Sequence, residues 1–394
     1  MSVQAITFEQ MMQSPFILRV VNRIQTPLSL FQQFLGITTG AEGGMGATQS
    51  VRGRDAGYDI FDATRQFSGA RAPQTGPRRV RKKVIGHQSV QLMRSFESID
   101  ILDEDVYKSR PLGGQIGTQN VDVRGQNHIR RQITFMTQRV RNQREWMTSR
   151  MFRGGFNIKS DGGDNFDLIE YNSAATDSIP INYQVPAEHL TGLDMGTGTD
   201  IMDDWSQAAS DIIGQCYKIN AAMTRIHGRP LKHIWLNSNT FLNVQNNTGV
   251  QNIGGDAFTV FNSLDRRSGK SLEGIPDAGF DVVFRAMPLW TFHVYDGVLS
   301  SDGKTDGIAV ADTSKLIPDD RAIFLPDPSD EWAGLIEGSE VVRQNVMASG
   351  SEATGFYSWA TPMIDPPGQE LKFLDNYLPV LYQPRCVAYG DTST

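Results

Sequence analysis

The segment RRQITFMTQRVRNQREWMTSRMFRGG, from Arg130 to Gly155, constrains the fold of this chain more than any other. A set of apolar residues in and just before it recurs at helical spacings of three, four and seven: Ile129, Ile133, Met136, Val140, Met147 and Met151. On a helical wheel they share a stripe roughly 60° wide, which predicts a long amphipathic helix with one core-facing edge. We place this helix at residues 120–153, about 50 Å long at about 1.5 Å per residue.

Arginine dominates the rest of this helix. Between Asn120 and Arg153 there are eight arginines and no lysine, and the only acids are Asp122 and Glu145. Phe135 and Trp146 fall together on the side roughly opposite the stripe, which predicts a second apolar contact. We therefore expect a set of residues on this helix to face a neighbouring copy or a polyanion: Phe135, Arg139, Arg141, Arg144 and Trp146.

The charge of the chain is divided along its length. Residues 1–153 carry 22 Lys and Arg against 12 Asp and Glu, whereas residues 154–394 carry 15 against 32. This asymmetry is compatible with a polyanion on one side, or with basic elements of one copy lying on the acidic body of another. Chance clustering on solvated faces stays open as a third interpretation.

Residues 51–98 have the pattern of a long hairpin. The runs YDIFDATRQF and VRKKVIGHQSVQLM alternate in polarity, and the breaker-rich RAPQTGPRR separates them. A two-stranded ribbon is only marginally stable alone, so it needs support from the body or from a neighbour. Its turn and return strand carry a second set of expected subunit-facing or DNA-facing residues: Arg78, Arg79, Arg81, Lys82 and Lys83.

The remainder of the chain mixes helices and strands without an internal repeat, so the predicted class is α+β. The segment DDWSQAASDIIGQCYKINAAMTRIHG predicts a helix that begins near Asp203 or Asp204 and stops at Gly228. LKHIWLN follows as a strand and NTFLNVQNN as a short helix, and the rest of the chain is strand-rich.

We find no motif for catalysis or for a bound cofactor. RRSGKS at 266–271 lacks the first glycine of a phosphate-binding loop, and the Asp-rich turns at 161–167 and 301–307 lack the acids of a calcium loop. The six histidines form no H-x-x-x-H pair, and the two cysteines form no C-x-x-C pair. We expect no enzyme, no metal and no cofactor.

No secretory signal is visible, and no apolar run approaches the roughly 18 residues that span a bilayer. We expect a soluble, intracellular protein without a membrane partner.

Several segments, taken in order, carry a resemblance to a known family: SFESIDILDEDV at 95–106, RPLGGQ at 110–115, WSQAASDI at 205–212, LIPDDRAIFLP at 316–326, SWATPMIDP at 358–366 and NYLPVLYQP at 376–384. In this order the chain resembles the major capsid proteins of tailed bacteriophages, specifically the lambda-type (E family) group with the Hong Kong 97-type capsid fold. The resemblance covers most of the chain from about residue 50 onward.

The resemblance implies a division of the chain into named parts. Residues 1–50 would be an N-terminal arm, and residues 51–98 would be the E-loop that reaches over an adjacent subunit. Residues 99–199 would form the peripheral domain, which includes the spine helix at 120–153. Residues 200–335 would form the axial domain, and residues 336–394 would return to the peripheral domain.

The resemblance also implies function and partners. Copies would form hexamers and pentamers of an icosahedral shell around double-stranded DNA, contacted without sequence specificity, in a virion assembled in the cytoplasm of a bacterial host. A separate scaffolding protein, a decoration protein and a portal are the other expected partners. An encapsulin-like nanocompartment shell, another virion structural protein, or a nucleic-acid-acting enzyme that uses the Arg-rich helix remain as alternatives.

Overall fold

The computed structural model describes residues 30–36, 49–61, 84–102, 119–160, 166–171, 178–195, 198–254, 280–284, 286–298, 315–329, 331–342 and 351–393. Its helices are α1 Leu30–Phe34, α2 Gln119–Phe152, α3 Ile212–His227, α4 Ser238–Asn246 and α5 Thr248–Gly254. Short 3-10 turns lie at Ala187–His189 and Pro384–Cys386.

The strands, in chain order, are β1 Gln49–Arg52, β2 Asp55–Phe61, β3 Val84–Gln91, β4 Met93–Leu102, β5 Gly155–Ser160, β6 Phe166–Glu170, β7 Ser178–Asn182, β8 Leu190–Thr191, β9 Leu231–Leu236, β10 Phe280–Val282, β11 Thr291–Val294, β12 Arg321–Pro326, β13 Ala333–Val342, β14 Ser351–Thr354, β15 Tyr357–Met363, β16 Gly368–Leu381 and β17 Ala388–Asp391. The mixture of helix and strand agrees with the predicted α+β class.

Two compact units divide the chain. Unit 1 comprises Met1–Ala56, Ser89–Glu145 and Gly334–Pro379, and unit 2 comprises Gly57–Gln88, Trp146–Ala333 and Val380–Thr394. Each unit is assembled from segments far apart in sequence. The assignment of the arm, E-loop, peripheral and axial names to particular residues stays a prediction.

Helix α2 confirms the long helix predicted from the apolar stripe, since Gln119–Phe152 matches the expected 120–153 closely. All six stripe residues from Ile129 to Met151 are buried. The helix ends at Phe152, and Gly154 in the turn that follows has a φ of 96°, in the left-handed region that glycine adopts at little steric cost.

Unit 1 is built on a six-stranded sheet with the order β1-β13-β16-β15, in which β14 also pairs with β13 and β4 with β16. The antiparallel β4–β16 ladder is long, running from Met93 opposite Tyr377 to Leu102 opposite Gly368. Helix α2 packs on this sheet through a core cluster formed by Ile129, Ile133, Met136, Ile101, Leu371 and Phe373. Burying each such side chain contributes about 1.5–3 kcal/mol, so the stripe fixes the face that α2 turns to the sheet.

Unit 2 contains a six-stranded sheet of order β10-β11-β9-β12-β17-β8 and a three-stranded sheet of order β6-β5-β7. Helix α3 lays Ile212, Cys216, Ile219 and Met223 into the core of the larger sheet. Strands β2 and β3 pair in a two-stranded sheet, as the predicted hairpin requires. The turn of that hairpin lies outside the described residues.

The predicted start of α3 is wrong by about two turns. Asp203 and Asp204 lie in an irregular segment, and the helix begins at Ile212, with Asp211 as its N-cap accepting a hydrogen bond from the Gly214 amide at 2.9 Å. Asp204 instead accepts from the Ser206 amide and the Gln207 side chain. Aspartates favour such local turns, and here Asp211 caps the helix in their place. The predicted stop is confirmed, because Gly228 is the left-handed C-cap.

Candidate functional site

The first part of α2 presents an exposed ridge to solvent. Asn127, Arg131, Phe135 and Arg139 follow one another at intervals of four, so they share a face of the helix, and all four are exposed. The Phe135 side chain is 51% exposed, which is unusual for a large aromatic residue in the middle of a helix. The ridge is therefore available for a partner.

A groove of about 370 Å³ opens along this ridge, and we call it the Phe135 groove. Its lining comprises Asn127, Arg130, Arg131, Thr134, Phe135 and Gln138. Arg130 and Arg131 are both exposed. Within the described part of the chain, neither of them has a carboxylate partner. The groove combines one aromatic surface with two guanidinium groups, which suits a partner that brings an apolar group and an anion.

Arg139 lies at the end of the ridge and is held by its own chain. Its Nε and Nη2 atoms donate to the two carboxylate oxygens of Glu97 at 2.9 and 3.0 Å. The hydrogen bonds that Arg139 donates to Glu97 raise the pKa of Arg139. Its guanidinium also lies 5.7 Å from the centre of the Phe135 ring. The Arg139 side chain is 48% exposed, so it borders the groove as a partly neutralised cation.

Arg144 is buried, and this corrects its expected place on a subunit-facing or DNA-facing surface. Its side chain is 2% exposed, and Nε and Nη2 donate to the Asp375 carboxylate of β16 at 2.7 and 2.5 Å. Burial opposes its charge, but Asp375 outweighs that effect and raises the pKa of Arg144. Burial, followed by the effect of Asp375, raises the pKa of the adjacent Glu337. Arg144 thus joins α2 to the sheet of its own unit.

Arg141 is also largely buried, and burial followed by the nearby Arg144 lowers its pKa. Glu145, the second acid of the helix, is also buried. Its carboxylate accepts hydrogen bonds from the amides of Phe31 and Gln32 at 2.7 and 3.2 Å, and from Gln32 Nε2 at 3.0 Å. A buried carboxylate at the start of α1 satisfies backbone amides that have no partner within that short helix. Glu145 therefore fixes a piece of the predicted N-terminal arm.

Trp146 lies in the core of unit 2, so its expected pairing with Phe135 on one exposed side is corrected. Its ring is buried and meets Phe156 edge-on at 5.7 Å, and the Arg150 guanidinium lies 4.7 Å from it. Burial, and then the charge of Arg153, lowers the pKa of Arg150 to about 9. Phe135 and Trp146 share one side on a helical wheel, which considers the helix alone. In the structure the last turns of α2 are buried on every side, so only Phe135 stays exposed.

The remaining predicted residues are Arg78, Arg79, Arg81, Lys82 and Lys83, and all of them lie outside the described residues. Their role at a subunit or DNA contact stays a prediction. The motifs at 266–271 and 301–307 also lie outside them.

Sequence spacing gave no hint of one polar cluster in unit 2. The parallel strands β9 and β11 place His233 beside His293, with 2.8 Å between Nδ1 and Nε2, and His293 Nδ1 lies 2.6 Å from Asp281. Asp327 contacts His233 Nε2 at 3.3 Å. Burial, and then the neighbouring His293, lowers the pKa of His233 to about 4. The contact between the two imidazoles links the neighbouring strands β9 and β11.

Within the described ranges, no cluster of His, Cys, Asp and Glu could hold a metal ion. Cys216 and Cys386 are both buried. Burial raises the pKa of the Cys216 thiol to about 12, so it is a packed apolar group rather than a nucleophile. None of the helices in the described part of the chain is long and apolar enough to cross a membrane.

Comparison with known proteins agrees with the fold. The family model for phage major capsid protein E matches residues 41–391. A protein assigned as the capsid protein of a prophage of E. coli CFT073 is 13% identical, with 96% of this chain and 98% of that chain covered and a TM-score of 0.51. The predicted Hong Kong 97-type capsid fold is confirmed at this level.

Two further solved structures are more distant. A phage-related protein from Bordetella bronchiseptica RB50 is 11% identical, with 97% of each chain covered and a TM-score of 0.44. An encapsulin from Synechococcus elongatus is 10% identical, with 87% of this chain and 84% of that chain covered and a TM-score of 0.40. No curated protein matches the sequence.

Proposed function

The chain belongs to the phage major capsid protein E family and is a capsid shell protein that self-assembles; from this premise we propose that it forms hexamers and pentamers of an icosahedral shell around double-stranded DNA. The observation that carries the proposal is the family match over residues 41–391. The exposed ridge of α2 supports it, because a shell subunit needs surfaces that are completed only by other copies.

The proposed partners follow from the charge of the chain. The basic part of the chain, with Arg78, Arg79, Arg81, Lys82 and Lys83 in the predicted E-loop, would contact acidic surface of adjacent copies or the phosphates of packaged DNA without reading sequence. A separate scaffolding protein would guide assembly in the bacterial cytoplasm, and a portal and a decoration protein would complete the virion. The role is structural, and we propose no catalytic step.

Electron microscopy of the purified full-length chain, expressed with and without the phage's own scaffolding protein, tests the proposal. We expect closed particles or capsomers with sixfold and fivefold views. A species that stays monomeric under every assembly condition would overturn the proposal.

The contents of the particles separate the virus from a nanocompartment. Nuclease-protected, double-stranded DNA inside particles from infected cells supports the proposed capsid. Particles that enclose a specific protein and no DNA would favour the encapsulin-like alternative instead.

A further inference from the structure

The hairpin between β15 and β16 carries the most exposed large apolar side chain of the described residues. The two strands pair as far as Met363 opposite Gly368, which leaves a four-residue turn of Ile364, Asp365, Pro366 and Pro367. All four turn residues are exposed, and Ile364 is 94% exposed. We call these four residues the hairpin tip. It projects one apolar group beside one carboxylate from the end of a long ladder.

The Phe135 groove, also in unit 1, has the complementary chemistry. It is lined by the half-exposed Phe135 ring and by Arg130 and Arg131, neither of which has a carboxylate partner within the described ranges. Its volume of about 370 Å³ exceeds the roughly 150 Å³ that accommodates a benzene molecule, so a branched aliphatic side chain fits.

We propose that the hairpin tip of one copy docks in the Phe135 groove of a second copy, with Ile364 against the Phe135 ring and Asp365 between Arg130 and Arg131. The inference rests on the proposed function, because it requires copies of the chain to assemble. It specifies the two surfaces in contact, the hairpin tip and the Phe135 groove.

Charge and apolar surface favour this occupant together. The Asp365 carboxylate can accept paired hydrogen bonds from a guanidinium, and Ile364 and Phe135 remove each other from water. DNA phosphates would satisfy Arg130 and Arg131 equally well, but they would leave the Phe135 ring in water and would give Ile364 no partner. A second copy therefore accounts for all five exposed groups.

The sequence of the hairpin tip also restricts its conformation before binding. Pro366 and Pro367 restrict the backbone of the turn, so fewer conformations are lost when the tip is ordered in a partner. Because the tip and the groove are different surfaces, the contact is heterologous and can repeat from copy to copy around a closed ring or shell.

Disulfide trapping tests the contact directly. Ile364→Cys and Phe135→Cys chains are assembled together in equal amounts, oxidised mildly and run on a non-reducing gel, and Cys216 and Cys386 give low background because both are buried. We expect a dimer band that combines the two variants. The matched control replaces Phe135→Cys with Val341→Cys, an exposed apolar position on the same unit, and should give no such band. Equal trapping with the control would overturn the inference.

A charge exchange adds a functional readout. Arg131→Asp and Asp365→Arg should each lower the yield of particles about tenfold or more, since an unpaired charge is left in the contact. The double variant restores the pair in reverse and should recover the yield. If wild-type particles form but the double variant behaves no better than the single ones, the inference fails while the proposed function stands.

Two other outcomes are equally informative. If Arg131→Asp particles form in normal yield but retain less DNA, the groove faces the nucleic acid and the inference is overturned. If wild-type chains form no particles at all, it is the proposed function that fails.

Discussion

Helix α2 has two parts that use the same residue types in opposite ways. Up to Arg139, one face packs on the sheet of unit 1 while Arg130, Arg131 and Phe135 remain exposed. From Arg144 to Phe152, every residue is buried, including two arginines and a tryptophan. Arginine content therefore does not mark a surface, since the exposed Arg131 and the buried Arg144 lie on the same helix.

The largest effect should separate Arg144 from Arg131. Arg144→Met leaves the fully buried Asp375 without its cation, and such a loss costs about 3–5 kcal/mol of the free energy of unfolding. Arg131→Met removes an exposed cation and should change that free energy by about 0.5 kcal/mol or less. Urea unfolding of the full-length variants at equal protein concentration measures both. Equal losses would contradict the contrast between the two parts of α2.

The aromatic residues sharpen the same contrast. Trp146→Ala opens a cavity against Phe156 and should lower the free energy of unfolding by about 3–5 kcal/mol. Phe135→Ala should cost about 1 kcal/mol or less, because the ring is half exposed. Thermal unfolding of unassembled chains measures this difference in stability. Particle yield should instead single out Phe135→Ala, which loses assembly without a comparable loss of stability. A Phe135→Ala variant as unstable as Trp146→Ala would show that the ridge belongs to the core.

Buried and exposed titratable groups should also differ in unit 2. An unfolded histidine takes up a proton near pH 6.5, whereas the folded environment lowers the pKa of His233 to about 4. Stability should therefore fall as the pH drops from about 6.5 to about 4, by up to about 3 kcal/mol. The groups facing His233 are His293, Asp327 and Asp281, with Lys232 paired to Asp327.

His233→Gln removes the group whose pKa differs between the folded and the unfolded chain. The unfolding free energy of this variant should therefore fall less than that of the wild-type chain over the same pH range. His87→Gln is the matched control, because His87 is exposed in its pair with Asp59. Urea unfolding between pH 4 and 7 measures the three curves. An unchanged slope in His233→Gln would sink this prediction.

The smallest effect belongs to the exposed pair of Arg139 and Glu97. Glu97→Gln should cost about 0–1 kcal/mol, because solvent and salt screen a partly exposed ion pair. Salt titration of the unfolding free energy should show the wild-type chain losing this increment by about 1 M salt. A loss of unfolding free energy as large as that of Arg144→Met would show that Arg139 behaves as a buried arginine.

Local patterns in the sequence predicted the local parts of this structure. The stripe from Ile129 to Met151 fixed the length and core face of α2, and Gly228 marked the end of α3 correctly. The start of α3 was missed because three aspartates, Asp203, Asp204 and Asp211, could each cap a helix, and only packing selects among them.

Long-range pairing was not predictable in the same way. Arg144 and Asp375 are 231 positions apart, and His233 and His293 are 60 apart, so no spacing rule relates either pair. A helical wheel also assumes that one side faces water along the whole helix. That assumption holds near Phe135 and fails at Trp146, where the chain encloses the helix.

Imaging wild-type chains beside an Arg130→Asp/Arg131→Asp variant tests most directly the claim that the exposed ridge of α2 is reserved for assembly. We expect closed particles from the wild-type chain, and a variant that keeps the wild-type unfolding free energy but stays unassembled. Particles of normal shape and yield from the variant would contradict it.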